Sequence, residues 1–393
     1  MSEQDFSLLP LPAIHFGAGR ISLLPELAAP FGRTVLVVTG AHALRHSGHF
    51  TGLIESLEQS GLMINHLAVD REPSPELVNS AVSSFRACSV DAVLAIGGGS
   101  VLDAGKAISA MLLQTLPVER FIEGQEAFTA HDGRKVPFIA VPTTSGTGSE
   151  VTSNAVISRV GAGGFKRSLR HPAFVPDIAL IDPELMLTLP EAMTAASGMD
   201  ACTQLIEAYT SPFASPYTDA LAVIGLERFS RSFPGVCAER ASDIGARGDL
   251  AFAALMSGIV LANAGLGIVH GFASSVGGLV NIPHGTLCAT LLLEATRENI
   301  ATLHQLDRNH PVLHKYARAG ALLSGSAYGD VHSGCEKLLE RLEAWQEQLR
   351  FPRLSRYGLA PRDIDHLVSI TRCKSNAVLI DEAAMKRILS KRL

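Results

Sequence analysis

Two segments have the residue types and spacing to hold a phosphate group. In Gly97-Gly98-Gly99-Ser100-Val101-Leu102-Asp103-Ala104-Gly105-Lys106, an apolar run ends in three glycines and a serine, and a helical pattern follows. Glycines let a backbone approach a ligand closely, and the first turn of a new helix presents free N–H groups and partial positive charge. The segment reads as a pyrophosphate cradle, although its spacing is not the GxGxxG fingerprint. A tight strand-to-helix turn without a ligand would use the same residues. Asp103 and Lys106 fall on the first helical turns, where they either shape a polar pocket or solvate the helix. The second segment is Pro142-Thr143-Thr144-Ser145-Gly146-Thr147-Gly148-Ser149-Glu150. Small hydroxylated residues between glycines can meet a nucleotide through O–H and N–H groups together. The alternative is a loop that only caps the following helix, with Glu150 in its first turn.

These turns need elements to place them. The runs 34–39, 92–96, 138–141 and 178–181 are short and apolar on both faces, as strands of a parallel sheet covered by helices must be. Residues 47–61 and 74–88 between them have helical spacing, the second starting at Ser74-Pro75-Glu76. Strand, helix, strand is the grammar of a doubly wound, Rossmann-like α/β sheet, whose ligands sit beyond the carboxyl ends of the strands. After about Pro190 the texture becomes helical, with periodic stretches at 191–210, 216–232, 246–264 and 332–350 and stops at Ser211-Pro212 and Phe233-Pro234-Gly235. Two domains are expected, an α/β domain over 1–185 and an all-α domain over 186–393, with the active site in the cleft between them.

Composition narrows the function classes. At 393 residues, 47% hydrophobic and 18% charged, the chain can bury a large core, which excludes wholesale disorder. A net charge of -5, from 33 basic and 38 acidic residues, argues against a nucleic-acid or anionic-membrane surface. No window approaches about 18 uninterrupted apolar residues, so no membrane span is expected. MSEQDFSLLP carries acids where an export signal has a basic start, so a cytoplasmic location is expected. Six cysteines without a CxxC pair read as reduced, mostly buried thiols. His42, His46 and His49 are spaced like a metal-binding helix but lack an acidic partner, and read as a surface feature.

The two turns, in this order, resemble the iron-containing (group III) alcohol dehydrogenase family, which is similar in fold to the glycerol dehydrogenases and dehydroquinate synthases. Further matching segments are Phe16-Gly17-Ala18-Gly19, Asp182-Pro183, Gly198-Met199-Asp200-Ala201, Gly267-Ile268-Val269-His270-Gly271 and Pro283-His284-Gly285, covering roughly residues 13–290. The resemblance implies an NAD- or NADP-dependent oxidoreductase that interconverts alcohols with aldehydes or ketones. It also implies a divalent metal between the domains, iron before zinc, and a homodimer contacting through its N-terminal strand. Its four metal-ligand positions fall on Asp200, Gln204, His270 and His284. Its cofactor positions fall on Gly40, Gly97, Gly98, Gly99, Ser100, Asp103, Thr143, Thr144, Ser145, Thr147, Ser149 and Lys166. Asp103, Lys166, His270 and His284 are the residues expected to serve catalysis, and Lys166 in a solvated basic cluster is the competing reading.

Three positions depart from the family pattern. Gln204 stands where the family has histidine, and an amide oxygen is a poorer donor to iron or zinc than imidazole. The remaining three donors either hold a metal or only hydrogen-bond one another in a polar pocket. Ser274 stands where many members have a histidine near the nicotinamide, and serine cannot shuttle protons near neutral pH as imidazole does. Gly40 ends the first strand where NAD-preferring members place an aspartate, which leaves NADP open, with His42 or Arg45 within reach of a 2′-phosphate. Phe272, Val276 and residues near 151–156 are expected to line an apolar substrate pocket. A metal-independent reductase of the maleylacetate type is the main alternative, with His270 or His284 polarising the carbonyl. A dehydroquinate synthase-like carbon–oxygen lyase is more distant.

Overall fold

In the computed structural model, which describes residues 5–41 and 49–393 (His49 and Phe50 by backbone alone), the four apolar runs are the middle of one sheet. Its six strands are β1 (Ala13–Phe16), β2 (Thr34–Gly40), β3 (Met63–Val69), β4 (Ala92–Gly97), β5 (Phe138–Pro142) and β8 (Ile178–Ile181). The order is β1-β8-β5-β4-β2-β3, and every pairing is parallel, with Val35 opposite Ala92, Leu94 opposite Ile139 and Ile139 opposite Ile178. Alternate residues enter two separate cores. Leu36, Val38, Val93, Ala95 and Phe138 pack on one face, while Val35, Val37, Leu94, Ile96 and Ile139 pack on the other. That double burial makes the central strands read as continuous apolar runs. The edge strands β1 and β3 leave no unbroken apolar run, because each has one wet side; Met63 is 58% exposed.

Helices α1 (Leu24–Ala28), α2 (His49–Gln59), α3 (Pro75–Phe85) and α4 (Gly99–Met111) belong to this unit. Ser74 caps α3 by accepting from Leu77 N, with Pro75 at the first helical position. Gly105 lets α4 lie against the sheet: a Cβ there would come 2.6 Å from that of Ala95. A separate antiparallel hairpin joins β6 (Asn154–Arg159) to β7 (Phe165–Arg170). Both strands mix polar with apolar residues, so no continuous apolar run marks the hairpin. Leu9–Arg159 and Phe165–Leu189 make up this compact unit; Val160–Gly164 and Pro190–Leu393, with residues 5–8, make up the other.

The second unit is helical: α5 (Glu191–Thr210), α6 (Pro216–Val236), α7 (Ile244–Ala264), α8 (Ile268–Leu279), α9 (His284–Leu306), α10 (Pro311–Ser324), α11 (Val331–Gln348), α12 (Ile364–Ile370) and α13 (Glu382–Lys391). Ser215 and Thr218 form a reciprocal capping box on α6, and Asp243, Asp330 and Asp381 cap α7, α11 and α13. The expected stop at Phe233-Pro234-Gly235 is corrected: α6 runs through Pro234 to Val236. Pro234 removes one intrahelical N–H donor from the last turn, a loss that packing must offset. Phe233, stacked on Phe229 at 4.4 Å and edge-on to Trp345 at 5.5 Å, holds the last turn in the core. Helix α7 is long and apolar enough to cross a membrane, but two thirds of its most apolar window is buried, as in a core helix packed on α5 and α6. All six cysteines are free, and Cys202, Cys237, Cys288 and Cys335 are buried.

Candidate metal centre and nucleotide turns

In the α/β unit, the two glycine-rich turns are built against each other. Gly98 caps α4 in an ordinary extended conformation, so its neighbours are glycine for space rather than for backbone angle. A Cβ on Gly97 would come 2.6 Å from Cβ of Val101, and one on Gly99 would come 2.5 Å from Thr147 Cγ2. Thr143 N donates to Gly97 O (2.9 Å), stitching the second turn to the first. The start of α4 therefore offers its unpaired N–H groups and dipole beside Ser100, Thr143, Thr144 and Thr147, all partly exposed. Gly40, at the end of β2, faces Val101 of the same helix. His42, Arg45 and His46 lie outside the described residues.

Other members of the expected cofactor set turn inward. Ser145 Oγ donates to Met186 Sδ (3.0 Å), and Ser149 Oγ donates to Asp103 Oδ1 (2.6 Å). Asp103 Oδ2 accepts from Val156 N (3.0 Å), so this carboxylate braces the start of β6. Burial raises its pKa, against the pull of Lys106. Lys106 Nζ lies 2.7–3.1 Å from five oxygens of Ser149, Thr152 and Asn154, pinning the second turn to α4. Burial lowers its pKa to about 8. Glu150 beside it is also buried, and burial pushes its carboxyl up to about 7. Lys166 is 8% exposed and ion-paired with Glu72, so it does not belong to a solvated cluster as Arg167 and Arg170 do. Asp182 accepts from Gly19 N (3.2 Å) and Ile21 N (2.8 Å), which explains the pairing of the Asp-Pro and Phe-Gly-Ala-Gly segments.

In the helical unit, side chains from three helices converge. Asp200, Gln204 and Glu207 share one face of α5, His270 sits in the first turn of α8, and His284 and Cys288 project from the first turns of α9 at i and i+4. Asp200 Oδ1 lies 3.4 Å from His270 Nε2 and 3.6 Å from His284 Nε2. Cys288 Sγ lies 3.8 Å and 3.9 Å from the same two nitrogens. One donor atom from each of the four residues falls within 4.8 Å of all the others. Asp200 is 1% exposed, yet its Oδ1 has no hydrogen-bond partner. Groups that bond each other close to about 2.7–3.2 Å. Ligands around a tetrahedral ion with bonds of about 2.0–2.3 Å are separated by roughly 3.3–3.7 Å. The observed spacing and the orphaned carboxylate oxygen fit a metal.

Glu207 orients the cluster. Its Oε2 lies 2.6 Å from His270 Nδ1 and its Oε1 accepts from Val269 N (2.7 Å). A carboxylate on Nδ1 holds the proton there and leaves Nε2 with its lone pair toward Asp200. Without a metal, burial opposes charge on His270, but Cys288, Asp200 and Glu207 hold its pKa well above the ordinary imidazole value. Burial likewise works to raise Asp200, but His284 and His270 keep it below the ordinary carboxylate value. The Gln204 amide is engaged with Ser257, whose Oγ lies 2.7 Å from its Oε1. Ser274 Oγ donates to His270 O (3.2 Å). Phe272 and Val276 are fully buried in the helical core, so the expected pocket lining is corrected at both positions. Cys288 and Glu207 were passed over in the sequence, although each stands at helical spacing from an expected ligand: i+4 from His284 and i+7 from Asp200.

Comparison with known proteins agrees with both halves. Residues 12–183 match the family model for iron-containing alcohol dehydrogenase, and residues 194–392 match that for the C-terminal part of the same family. The chain is 36% identical to "Probable alcohol dehydrogenase EutG" of Escherichia coli (strain K12), over 72% of this chain and 70% of the relative. It is 32% identical to the NADPH-dependent butanol dehydrogenase of Clostridium saccharobutylicum, over 78% and 77%. A solved structure of 1,3-propanediol oxidoreductase superposes with a TM-score of 0.88 at 28% identity, covering 99% of this chain and 100% of that one. The chain belongs to the iron-containing alcohol dehydrogenase family and is an NAD(P)-dependent oxidoreductase acting on CH–OH groups.

Proposed function

We propose that the chain interconverts a small or medium alcohol and its aldehyde or ketone, with a divalent metal held by Asp200, His270 and His284. The observation that carries this reading is that His270 Nε2 and His284 Nε2 stand 3.4 and 3.6 Å from Asp200 Oδ1, a buried oxygen without a hydrogen-bond partner. When bound, the cation supplies Lewis acidity at the substrate oxygen and eases loss of the alcohol proton. Asp200 brings the negative charge, and Glu207 keeps the His270 proton on Nδ1, away from the donor face. Gly97, Gly98, Gly99 and Ser100 at the start of α4, with Thr143, Thr144 and Thr147, hold the dinucleotide phosphates by backbone N–H and side-chain O–H groups. Asp103, Ser145 and Ser149 act one step back, by fixing those turns together with Lys106, while Lys166 is held by Glu72. Ser274, bonded to a backbone carbonyl, offers no imidazole-like relay, so the proton leaves through water or a ribose hydroxyl.

Gly40 leaves no acid at the end of β2 to repel a 2′-phosphate, and the similarity to an NADPH-dependent relative supports use of NADPH beside NADH. The enzyme works in the cytoplasm as a homodimer. The unpaired edge of β1, with Leu11 and Ile14 exposed, supports that contact. Elemental analysis, with NADH and NADPH turnover before and after chelation, tests the reading. About one metal per chain, with activity lost on chelation and restored by one ion, is expected. Unchanged carbonyl reduction by metal-free protein overturns it and makes His270 and His284 the proton donors.

A further inference from the structure

The metal-site reading above assigns three ligands, and the same cluster contains a fourth donor. We infer that Cys288 Sγ is the fourth protein ligand of this centre, in place of the imidazole missing at Gln204, and that its thiolate shifts the site from iron(II) to zinc. This inference rests on the metal reading but goes beyond it in ligand and in metal.

Four observations carry it. Cys288 is buried one helical turn from His284, and its sulfur stands 3.8–3.9 Å from both ligand nitrogens, a few tenths of an ångström beyond the edge of a coordination shell. Cys202, Cys237 and Cys335 are equally buried, but the acid and imidazole donors converge on Cys288 alone among the described residues. The Gln204 amide oxygen is engaged with Ser257, so among the described residues the donor that joins Asp200, His270 and His284 is the Cys288 sulfur. Asp200 Oδ1, orphaned inside this group, is the independent sign that the cluster is built around something.

The donor change has a chemical consequence. Thiolate is a soft ligand that suits zinc, whereas carboxylate and imidazole alone discriminate weakly between zinc and iron(II). Binding breaks the Cys288 S–H bond and the Nε2–H bond of a charged His270, releases these protons to solvent and forms the metal–sulfur and metal–nitrogen bonds. Asp200 and the Cys288 thiolate then neutralise the dication. Zinc expands to five ligands when a substrate oxygen joins, so four protein donors do not close the site to chemistry.

The test loads the full-length protein with cobalt(II) in place of its native metal and reads the near-ultraviolet absorption. A sulfur-to-cobalt charge-transfer band is expected in the wild type and should vanish in Cys288→Ser. Zinc affinity of Cys288→Ser, measured by competition with a chelator, should fall by roughly 10–100-fold or more, since even outer-shell changes cost that much. The double variant Cys288→Ser, Gln204→His should recover affinity without the band and bind iron(II) relatively better. A cobalt protein showing only nitrogen and oxygen ligation overturns the sulfur ligand while leaving the metal site standing. So does a Cys288→Ser protein that holds zinc as tightly as the wild type. Failure of the wild type to bind any divalent ion overturns both. The wild-type spectrum decides the matter even if the variants do not fold.

Discussion

The nucleotide turns and the donor cluster solve opposite problems. At the start of α4, the proposed phosphate site is made by removing side chains: Gly97 and Gly99 are bare because Val101 and Thr147 occupy the space a Cβ would need. The polar side chains nearby, Asp103, Lys106 and Ser149, face inward and hold the backbone in place. In the helical unit the side chains themselves are the site, and the backbone serves only to aim them. A site of the first kind tolerates little change at its bare positions. A site of the second kind can exchange one donor for another, as the pairing of Gln204 with Cys288 illustrates.

If the two regions are separable, each can be damaged while the other stays intact. The largest effect is expected for Asp200→Asn, which keeps the shape and removes the charge-bearing donor. Turnover should fall roughly a thousandfold, the several kcal/mol a Lewis acid supplies. NADH affinity by fluorescence titration should stay within about twofold, and a parallel loss of nucleotide binding would break the separation.

Next comes a pH effect confined to the α/β unit. Glu150 is neutral in both folded and unfolded states below about pH 4.5. Between that point and about 7 the unfolded chain ionises while the folded one keeps its proton, so this group's contribution to stability is lost as pH rises. Glu150→Gln mimics the protonated form. Its stability relative to wild type, from denaturant unfolding, should therefore rise between pH 4.5 and 7 by up to about 3 kcal/mol. A pH-independent difference would mean that Glu150 is solvated.

Gly99→Ala sharpens the comparison from the other side. The new methyl meets Thr147, and such overpacking costs about 1–3 kcal/mol, so dinucleotide affinity should drop roughly 10–100-fold with metal content unchanged. The smallest effect is expected for Glu207→Gln, which removes the charge on His270 Nδ1 but keeps a hydrogen-bond acceptor. Metal affinity should weaken by about tenfold, the low end for an orienting partner. No change in a chelator competition would show that Glu207 only ties α5 to Val269.

Legibility followed locality. The strands β2, β4, β5 and β8 could be read because residues buried on both faces leave an unbroken apolar run. β1, β3 and the β6–β7 hairpin have wet faces, and their patterns resemble loops or solvated basic stretches. The glycine turns were legible for the same reason as the central strands: backbone recognition is written in consecutive residues. Lys166 was read as either a cofactor contact or a solvated charge, and neither reading could foresee Glu72, which lies 94 positions away.

The sequence alone therefore determined the class of fold, and it pointed to the two glycine-rich turns and to three of the four side chains that converge in the helical unit, because each is either a local pattern or a segment shared with a family. Tertiary structure decided which polar groups face a ligand and which only brace the turns. It also brought Cys288 and Glu207 to the donor cluster and engaged Gln204 with Ser257. The physical reason is distance. A coordination shell is a few ångströms wide, and α5 lies dozens of residues before the two helices that complete the cluster, so only packing determines which atoms meet.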